Sequence, residues 1–548
     1  MQRLDDGSWV ISPSDVSSYS QCPWGLALLA DSKLGKPVTI TDISDPMMEL
    51  VQHLGLEHEQ RTLEKLKKSL ALVVEIPYDR APAGSGADAW RQAIQRANDA
   101  TLAALHSEAD ALFQATFYQH QLPGTDLPIG FQGFADFIVR QGALWEVWDT
   151  KLARRAKDPA LLQLAAYADQ LHHRGIATSP EVRLILGDGT SSVHLVDDLM
   201  PSYLAAREEV VGVVQDRIAD PLVVAWGSER YPACGSQSCG ACHDAVIVND
   251  DLFQIAGIRK TQREKFHTAG FLTMVELGGA TTQEVQKAVR GIGEDTLVAL
   301  HRQARLQVAS RSHPTSQPAW EVISRSLLKN LPAASPGDLF FDFEGDPTYQ
   351  EWDESGEALS DGGPGGPPRF GLEYLFGVWG LRVNPDGENP DFLPLWAENF
   401  GEEKIVLEKF CTLVESRRQS YPDLHVYHYA PYERTKLKLL ATRHETHQYW
   451  VARLLNHVLV DLYPLVTKSV AIGVPSYGLK ALEALYFEPG VRTGITGGGE
   501  SVVAFAKYRE MKHAGDAQAA KLLKNSILHY NEIDCLSTLT LRNWLLGL

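Results

Sequence analysis

The sequence predicts an α/β protein with two large domains joined by a short helical segment. Its 548 residues are too many for one compact domain, and the shares of hydrophobic residues (44%) and charged residues (22%) are those of a globular protein. Residues 1–245 mix helical periodicity with a β section, and residues 246–312 read as short helices broken by glycine. Residues 337–548 begin with an apolar strand and then alternate strand and helix patterns. We expect residues 313–336, with their scattered prolines, to be a linker.

Composition and charge restrict the possible classes of protein. No apolar run approaches the roughly 20 residues that cross a membrane. The N-terminal residues show no basic segment followed by an apolar one, so they do not resemble a signal peptide. We therefore predict a cytoplasmic protein without a membrane partner. The net charge of −18 argues against a generally basic nucleic-acid-binding surface but is compatible with acidic metal sites.

A two-stranded hairpin is predicted in the N-terminal domain, with its turn at Gln141-Gly142. Asp136 lies in the first strand, and Asp149 and Lys151 lie two residues apart in the second, on one face. Two carboxylates on neighbouring strands can hold a hard divalent cation such as Mg²⁺. The lysine can then orient water and stabilise charge on a phosphate. Taken alone, the same residues are more commonly a surface ion pair.

Two helical segments flank this hairpin. His58 lies in a helical stretch upstream, and Gln163 and Tyr167 lie one helical turn apart downstream, on a shared face. Each of these residues, considered alone, is more often a solvated or capping side chain than a ligand. Their value as a signal comes from their order along the chain.

The four motifs together resemble the RecB-like branch of the PD-(D/E)XK nucleases, over roughly residues 10–245. In chain order they are His58, Gly133-Phe-Ala-Asp136, Asp149-Thr-Lys151 and Gln163-Leu-Ala-Ala-Tyr167. The resemblance implies a restriction-endonuclease-like fold that uses Mg²⁺ or Mn²⁺. The roles it implies are metal binding (His58, Asp136, Asp149), catalysis (Asp136, Asp149, Lys151) and holding DNA or the site itself (Gln163, Tyr167).

A group of cysteines closes the N-terminal domain. Cys234, Cys239 and Cys242 lie within nine residues, and Cys22 lies near the far end of a predicted helix that starts at Ser12. Four thiolates suit a [4Fe–4S] cluster. The arrangement of one cysteine before the nuclease core and three after it is similar to the iron–sulfur subclass of RecB-like nucleases, although that subclass more usually opens its group with a C-x2-C pair.

Zinc is the alternative ligand of the cysteine group. Cys234, Cys239 and Cys242 could bind Zn²⁺ together with His243, since three cysteines and one histidine are a common tetrahedral set. Three unliganded thiols are a further alternative.

The middle segment resembles helix-hairpin-helix units. Gly257-Ile258 and Gly291-Ile292-Gly293 would form the hairpins, whose backbone N–H groups can bind phosphates without reading base sequence. A small helical connector without a ligand explains the same pattern nearly as well.

The C-terminal domain contains a second acidic set. Asp342 and Glu344 share one face of an apolar strand, and Tyr530 and Asp534 share one face of a helix. Glu433 lies between them, in the segment Val-Tyr-His-Tyr-Ala-Pro-Tyr-Glu. Asp461 is a further acidic candidate, more simply explained as a strand-end or helix-capping residue.

This order resembles the DEDD exonucleases, which have the DnaQ-like RNase H fold and cleave from 3′ to 5′, and is most similar to the YprB-like group. The resemblance covers roughly residues 337–548. The roles it implies are binding of two divalent metal ions (Asp342, Glu344, Glu433, Asp534) and positioning of the attacking water (Tyr530). The family usually has aspartate at the position of Glu433, so its presence predicts a weaker site.

The sequence therefore favours a metal-dependent nuclease that hydrolyses DNA, with a second 3′–5′ exonuclease site for DNA or RNA, acting in DNA repair or in defence. The alternative is a nucleic-acid-binding scaffold for a helicase, with one or both sites inactive. The sequence contains no G-x-x-x-x-G-K-[ST] motif. A helicase would therefore be a separate protein or a portion that is not in this chain.

Overall fold

A computed structural model describes residues 1–43, 46–82, 84–312, 317–352, 358–360, 368–381, 391–488 and 490–548. The chain divides into two compact units, Met1–Asn249 and Asp250–Leu548, and each contains its own main β-sheet. Within the described ranges, helices of sufficient length lack the apolar stretch needed to cross a bilayer.

Unit 1 is a mixed α/β structure. Its strands are β1 (Gln2–Arg3), β2 (Trp9–Ile11), β3 (Val73–Glu75), β4 (Ala111–Gln119), β5 (Ile129–Gln141), β6 (Leu144–Lys151), β7 (Glu181–Leu186) and β8 (Ser191–Leu195). Its helices are α1 (Pro13–Gln21), α2 (Pro23–Lys33), α3 (Pro46–Ser69), α4 (Gly86–Leu105), α5 (Asp158–His173), α6 (Val196–Ala219) and α7 (Gly240–Val248).

The sheet of unit 1 has the order β1-β2-β5-β6-β7-β8, and β4 pairs with both β5 and β3. The predicted hairpin is formed by β5 and β6, which pair antiparallel from Gln141↔Leu144 to Phe137↔Trp148. Gly142 in the turn has φ +64°, a conformation that glycine adopts without strain. Strand β5 is the longest of the sheet, it pairs with β2, β4 and β6, and most of its residues are buried.

Unit 2 begins with a helical region and continues as an α/β structure. Its helices are α8 (Lys260–Thr268), α9 (Met274–Gly279), α10 (Thr282–Ala288), α11 (Glu294–Arg311), α12 (Arg325–Leu328), α13 (Phe400–Ser420), α14 (Tyr432–Arg443), α15 (Gln448–His457), α16 (Leu462–Ser469), α17 (Leu479–Leu482), α18 (Gly498–His513) and α19 (Ala517–Leu546). Single 3-10 turns occur at Leu252–Gln254 and Glu483–Leu485. Its strands are β9 (Trp320–Val322), β10 (Leu339–Asp346), β11 (Leu372–Trp379), β12 (Phe392–Trp396), β13 (Val426–His428), β14 (Leu459–Asp461) and β15 (Val470–Ile472).

The main sheet of unit 2 has the order β12-β11-β10-β13-β14, with β10 in the centre. Strands β11 and β12 are antiparallel to their neighbours, whereas β10, β13 and β14 run parallel. Successive residues of β10 point to opposite faces: Phe341 and Phe343 pack in the core formed with α13 to α15, and Phe340 packs in the core formed with α16 and α19. Asp342 and Glu344 therefore share the face on which α19 lies.

The domain boundaries differ from those predicted. The boundary at 245 falls inside α7, which ends at Val248 in unit 1. The helical segment belongs to unit 2, where Gln303 donates hydrogen bonds to the carbonyl oxygens of Ile472 (2.8 Å) and Val474 (3.1 Å). The sequence does not indicate this packing, because a single glutamine on a polar helix does not reveal that it is buried.

The predicted linker of residues 313–336 is partly ordered secondary structure. Residues 313–316 lie outside the described residues, but 317–336 contain β9 and α12, and β9 pairs antiparallel with β15. A strand of three residues is too short to show periodicity in sequence, so the sequence does not indicate β9.

Candidate active sites

The first site lies where strands β5 and β6 separate. The ladder between them ends at Phe137↔Trp148, so Asp136 and Asp149 are the first residues beyond the last pair. The backbone N–H and the hydroxyl of Thr150 both donate to Oδ2 of Asp136, at 2.9 and 2.8 Å. These bonds hold the Asp136 carboxylate toward β6 and beside Asp149.

Asp149 and Lys151 form an ion pair at this point. Nζ of Lys151 lies 2.6 Å from Oδ2 of Asp149, which is buried. Burial and then the neighbouring Asp136 carboxylate raise the pKa of Asp149 to about 7, although Lys151 opposes the rise. Without a bound cation, the site therefore favours a proton on Asp149 near neutral pH. A divalent cation would replace that proton.

Helix α3 brings His58 to the same region. Its Nε2 lies 3.3 Å from the carbonyl oxygen of Ile185 on β7, the strand next to β6. Burial lowers the pKa of His58, which favours the neutral imidazole that can bind a metal. Among the described residues, the ligand atoms of His58, Asp136 and Asp149 do not form a group as tight as the two clusters described below.

Glu59 is a site residue that the sequence did not indicate. Burial, followed by the charge of Asp136, raises the pKa of Glu59 to about 7, and the Gln114 side-chain amide donates a hydrogen bond to it. Gln114 has φ +55° and makes no ladder pair, although the register of β4 and β5 is unchanged on either side of it. Glutamates on helices are usually solvated, and only the contact with Gln114 reveals this one.

Tyr167 and Gly133 connect helix α5 to strand β5. The Tyr167 hydroxyl donates to the carbonyl oxygen of Phe134 at 2.6 Å, and a Cβ atom on Gly133 would lie 2.7 Å from the Tyr167 ring. Only glycine at position 133 leaves room for the ring. Tyr167 is buried, which favours a role in holding the site, and Gln163, one turn earlier, is half-buried.

The cysteine group is assembled in unit 1. The thiols of Cys22, Cys234, Cys239 and Cys242 all lie within 4.8 Å of one another. Cys22 follows α1, whose N-terminus is capped by Ser12 as predicted, and the Gly25 N–H lies 3.3 Å from its sulfur. Hydrogen bonds among the thiols raise the pKa of Cys22 and lower that of Cys239.

His243 is outside this group. Its Nδ1 lies 2.8 Å from the carbonyl oxygen of Gln237, and the residue is half-buried. Among the described residues, the possible metal ligands brought together here are the four cysteine sulfurs.

The second site lies on the central strand of unit 2. Carboxylate oxygens of Asp342, Glu344 and Asp534 lie within 4.8 Å of one another. Burial and then the charge of Asp534 raise the pKa of Glu344 to about 8, and the same two causes raise the pKa of Asp342. Three carboxylates at this distance, two buried and one half-buried, repel one another, and this arrangement favours a cation among them.

Tyr530 and Arg492 hydrogen-bond to Asp534, and Lys480 contacts Tyr530. Nζ of Lys480 donates to the Tyr530 hydroxyl at 2.8 Å and lies 4.6 Å from the centre of its ring. Arg492 donates to Asp534 and pairs with Glu483. Lys480 and Arg492 come from segments without a recognisable motif, so the sequence did not indicate them.

Glu433 is separate from the three carboxylates. It lies in the first turn of α14, is buried, and its Oε2 is 3.0 Å from Nδ1 of His428. Asp461 caps α16 by accepting from the Tyr463 N–H (2.9 Å), and it also accepts from the Ala430 N–H (2.9 Å). The capping explanation of Asp461 is thus confirmed.

Family models match both halves of the chain. The PD-(D/E)XK nuclease superfamily matches residues 10–245, and the RNase_H superfamily matches residues 367–546. The chain combines a PD-(D/E)XK nuclease domain with an RNase H-superfamily domain. Both superfamilies are metal-dependent nucleases, so the protein is a metal-dependent nuclease. A search of the curated proteins finds no significant match.

The RNase H-like match begins after β10, yet β10 is the central strand of the same sheet. Asp342 and Glu344 therefore belong to this domain by structure, and Asp534 belongs to it by sequence as well. The oxygen donors suit a hard divalent cation, as do the carboxylates and imidazole of the PD-(D/E)XK domain.

Proposed function

We propose that the protein hydrolyses phosphodiester bonds of DNA at its PD-(D/E)XK site and removes nucleotides from 3′ ends of DNA or RNA at its RNase H-like site. Mg²⁺ or Mn²⁺ serves both. The observation that carries the proposal is the convergence of Asp342, Glu344 and Asp534 within 4.8 Å. Buried carboxylates so close together are costly unless a cation lies among them. DNA repair is the process for which such an enzyme is suited.

At the PD-(D/E)XK site, Asp136, Asp149 and His58 are the proposed metal ligands. A divalent ion held there would polarise the phosphate and favour ionisation of water. Thr150 fixes the orientation of Asp136 through two hydrogen bonds. The Lys151 ammonium, 2.6 Å from Asp149, stands beside the position where charge develops on the phosphate.

At the RNase H-like site, Asp342, Glu344 and Asp534 are the proposed ligands. The Tyr530 hydroxyl accepts a hydrogen bond from Lys480, so its own proton is free to point toward the attacking water or a carboxylate. Burial raises the pKa of Tyr530, which keeps the phenol protonated in this role. Tyr530 thus orients the nucleophile without giving up its proton.

The helical region of unit 2 supports a nucleic-acid substrate. Gly257 (φ +81°) and Gly291 (φ +78°) turn the chain just before α8 and α11. Nζ of Lys265 donates to the Gly291 carbonyl oxygen and so holds the second hairpin. We propose that backbone N–H groups of these hairpins contact phosphates, which gives affinity without sequence preference.

We further propose that the four cysteines hold a metal centre joining the two ends of the PD-(D/E)XK domain. The sulfurs of Cys22 and Cys242, and those of Cys234 and Cys242, are 3.6 Å apart. A tetrahedral Zn²⁺ with Zn–S bonds of about 2.3 Å requires S···S distances close to this. A [4Fe–4S] cluster, which the order of the cysteines resembles, places each thiolate on a different iron and requires the sulfurs to move apart.

Metal analysis distinguishes these two centres. Anaerobically purified protein with iron and acid-labile sulfide, both lost in Cys22→Ser, would identify the cluster. One equivalent of zinc, also lost in Cys22→Ser, would identify a four-cysteine zinc site. Retention of either metal in Cys22→Ser would contradict the four-sulfur centre.

A scaffold for a helicase partner remains the second candidate, and the position of Glu433 favours it for the RNase H-like domain. Glu433 bonds to His428 instead of joining the three carboxylates. If Glu433 is a weakened ligand, Glu433→Asp increases 3′ trimming. A loss of trimming in Glu433→Asp would show that glutamate is the adapted residue. No trimming in wild type or variant would favour the scaffold.

The experiment that tests the proposed function is a cleavage assay with Mn²⁺ titrated against labelled single- and double-stranded DNA and RNA. Wild-type protein is expected to cleave at least one DNA substrate, and the double variant Asp149→Ala/Asp342→Ala to cleave none. Cleavage that persists in the folded double variant would place the activity elsewhere. Cleavage of RNA alone would overturn the assignment of DNA as substrate.

A further inference from the structure

Asn531 lies in the centre of the RNase H-like site, between Tyr530 and Asp534 in sequence. Its Nδ2 donates to Oδ2 of Asp342 at 2.7 Å, and its amide also lowers the pKa of Glu344. The residue is fully buried. The amide thus bonds to one of the three carboxylates that approach one another and acts on a second.

Gly377 makes room for this amide. Gly377 is the residue opposite Asp342 in the β10–β11 pairing, and a Cβ atom built on it would lie 1.7 Å from Oδ1 of Asn531. Its φ is not in the left-handed region, so the backbone alone does not require glycine here. The requirement is steric: any larger residue displaces the Asn531 side chain.

The position of the Asn531 side chain costs free energy, which indicates that the side chain has a role in the site. Oδ1 of Asn531 is buried in the notch at Gly377 without a hydrogen-bond partner among the described residues. A buried acceptor without a partner destabilises the folded state. An apolar side chain would avoid this cost, but it could not donate to Asp342.

We propose that Asn531 is a positioning residue that holds the Asp342 carboxylate in one orientation toward Glu344 and Asp534, and that Gly377 is the notch that admits it. This inference rests on the proposed function of the RNase H-like site. Hydrogen bonds that orient metal ligands typically affect metal affinity about 10–100-fold. Without the amide, Asp342 is free to rotate away from the metal.

The test measures Mn²⁺ binding by calorimetry in the full-length chain, in an Asp149→Ala background that weakens the other site. Asn531→Ala and Gly377→Ala are each expected to weaken the remaining Mn²⁺ site about 10–100-fold. In the double variant, the added methyl group no longer meets the amide, so binding is expected to be no weaker than in Asn531→Ala alone. Cleavage should recover at high Mn²⁺, because the defect is in affinity.

The matched control is Asn98→Ala in unit 1. Asn98 is also buried, and its Oδ1 accepts from the Tyr118 N–H at 3.0 Å, but it contacts none of these carboxylates. Its loss should leave the Mn²⁺ affinity unchanged. Thermal unfolding in EDTA establishes that each variant is folded, and Gly377→Ala tests the same contact from the opposite strand if Asn531→Ala fails to fold.

The outcomes separate this inference from the proposed function. If Asp342→Ala removes the Mn²⁺ site while folded Asn531→Ala or Gly377→Ala binds as tightly as the parent, the positioning role is wrong and the proposed function stands. Independent, additive losses in the double variant would also contradict it. If Asp342→Ala changes nothing, the proposed metal site fails and the positioning role fails with it.

Discussion

Replacement of a buried carboxylate in the RNase H-like site should stabilise the metal-free protein. Glu344 lies within 4.8 Å of Asp342 and Asp534, and its pKa is raised from 4.5 to about 8. Glu344→Gln keeps the shape and an oxygen acceptor but removes the charge. We therefore expect the metal-free variant to be more stable than wild type at pH 8 and to lose its response to Mn²⁺.

The magnitude follows from the shift in pKa. Because one pKa unit corresponds to about 1.36 kcal/mol, a rise from 4.5 to about 8 gives a cost of up to ~5 kcal/mol for folding with an ionised Glu344. A group with a raised pKa favours the folded state below its unfolded value, and this contribution is lost as pH rises from 4.5 through 8. The buried glutamine amide is itself polar, so we expect a net gain of ~2 kcal/mol, or ~4 °C in Tm.

The assay is thermal unfolding in EDTA between pH 5 and pH 8.5, followed by the same scans with Mn²⁺. Glu373→Gln is the matched control, since Glu373 is equally buried on the adjacent strand but is paired with Nζ of Lys436 at 2.6 Å. Burial also raises the pKa of Glu373, but Lys436 opposes the rise, so the gain in Glu373→Gln should be smaller than in Glu344→Gln. If Glu344→Gln lowers the metal-free stability at pH 8, or gains no more than Glu373→Gln, the argument from repelling carboxylates is refuted.

Three further predictions concern the PD-(D/E)XK domain. Lys151→Ala, in an Asp342→Ala background, should reduce Mn²⁺-dependent DNA cleavage by at least ~100-fold while the melting curve is retained; cleavage within twofold of the parent would exclude a catalytic lysine. Gly133→Ala should destabilise unit 1 by ~1–3 kcal/mol in denaturant unfolding because its methyl group meets the Tyr167 ring; unchanged stability would contradict the contact. Cys239→Ser should abolish the metal content of the cysteine group and lower the Tm of unit 1, and full retention of metal would remove Cys239 from the centre.

Much of the PD-(D/E)XK site could be predicted because its motifs lie on regular elements. The two-residue spacing of Asp149 and Lys151 places both on one strand face, and a glycine turn defines the hairpin with Asp136. Glu59 could not be predicted, because it contacts Gln114 on a strand more than fifty residues away in sequence. Hydrophobic periodicity predicts local structure and gives no information about a contact between distant residues.

The RNase H-like site was likewise predicted only in part. Asp342 and Glu344 follow from strand alternation, and Asp534 follows from helix spacing. Glu433 hydrogen-bonds to His428 and its charge raises the pKa of Asp342, so its role as a metal ligand stays a prediction. Asn531 and Gly377 were missed because neither residue is unusual for the helix or strand in which it lies. Their contact exists only in the folded protein, where α19 packs against β11.

The central claim is that two metal-dependent nuclease sites lie in different domains of one chain, and the most direct measurement follows the products of single-site variants. DNA labelled at the 5′ end is digested with Mn²⁺ by the Asp149→Ala and Asp342→Ala variants in parallel. Asp149→Ala is predicted to retain stepwise shortening from the 3′ end, and Asp342→Ala to lose it while still cleaving the DNA. If either variant, correctly folded, lost both product patterns, or if both variants gave the wild-type pattern, the account of two separate sites would be contradicted.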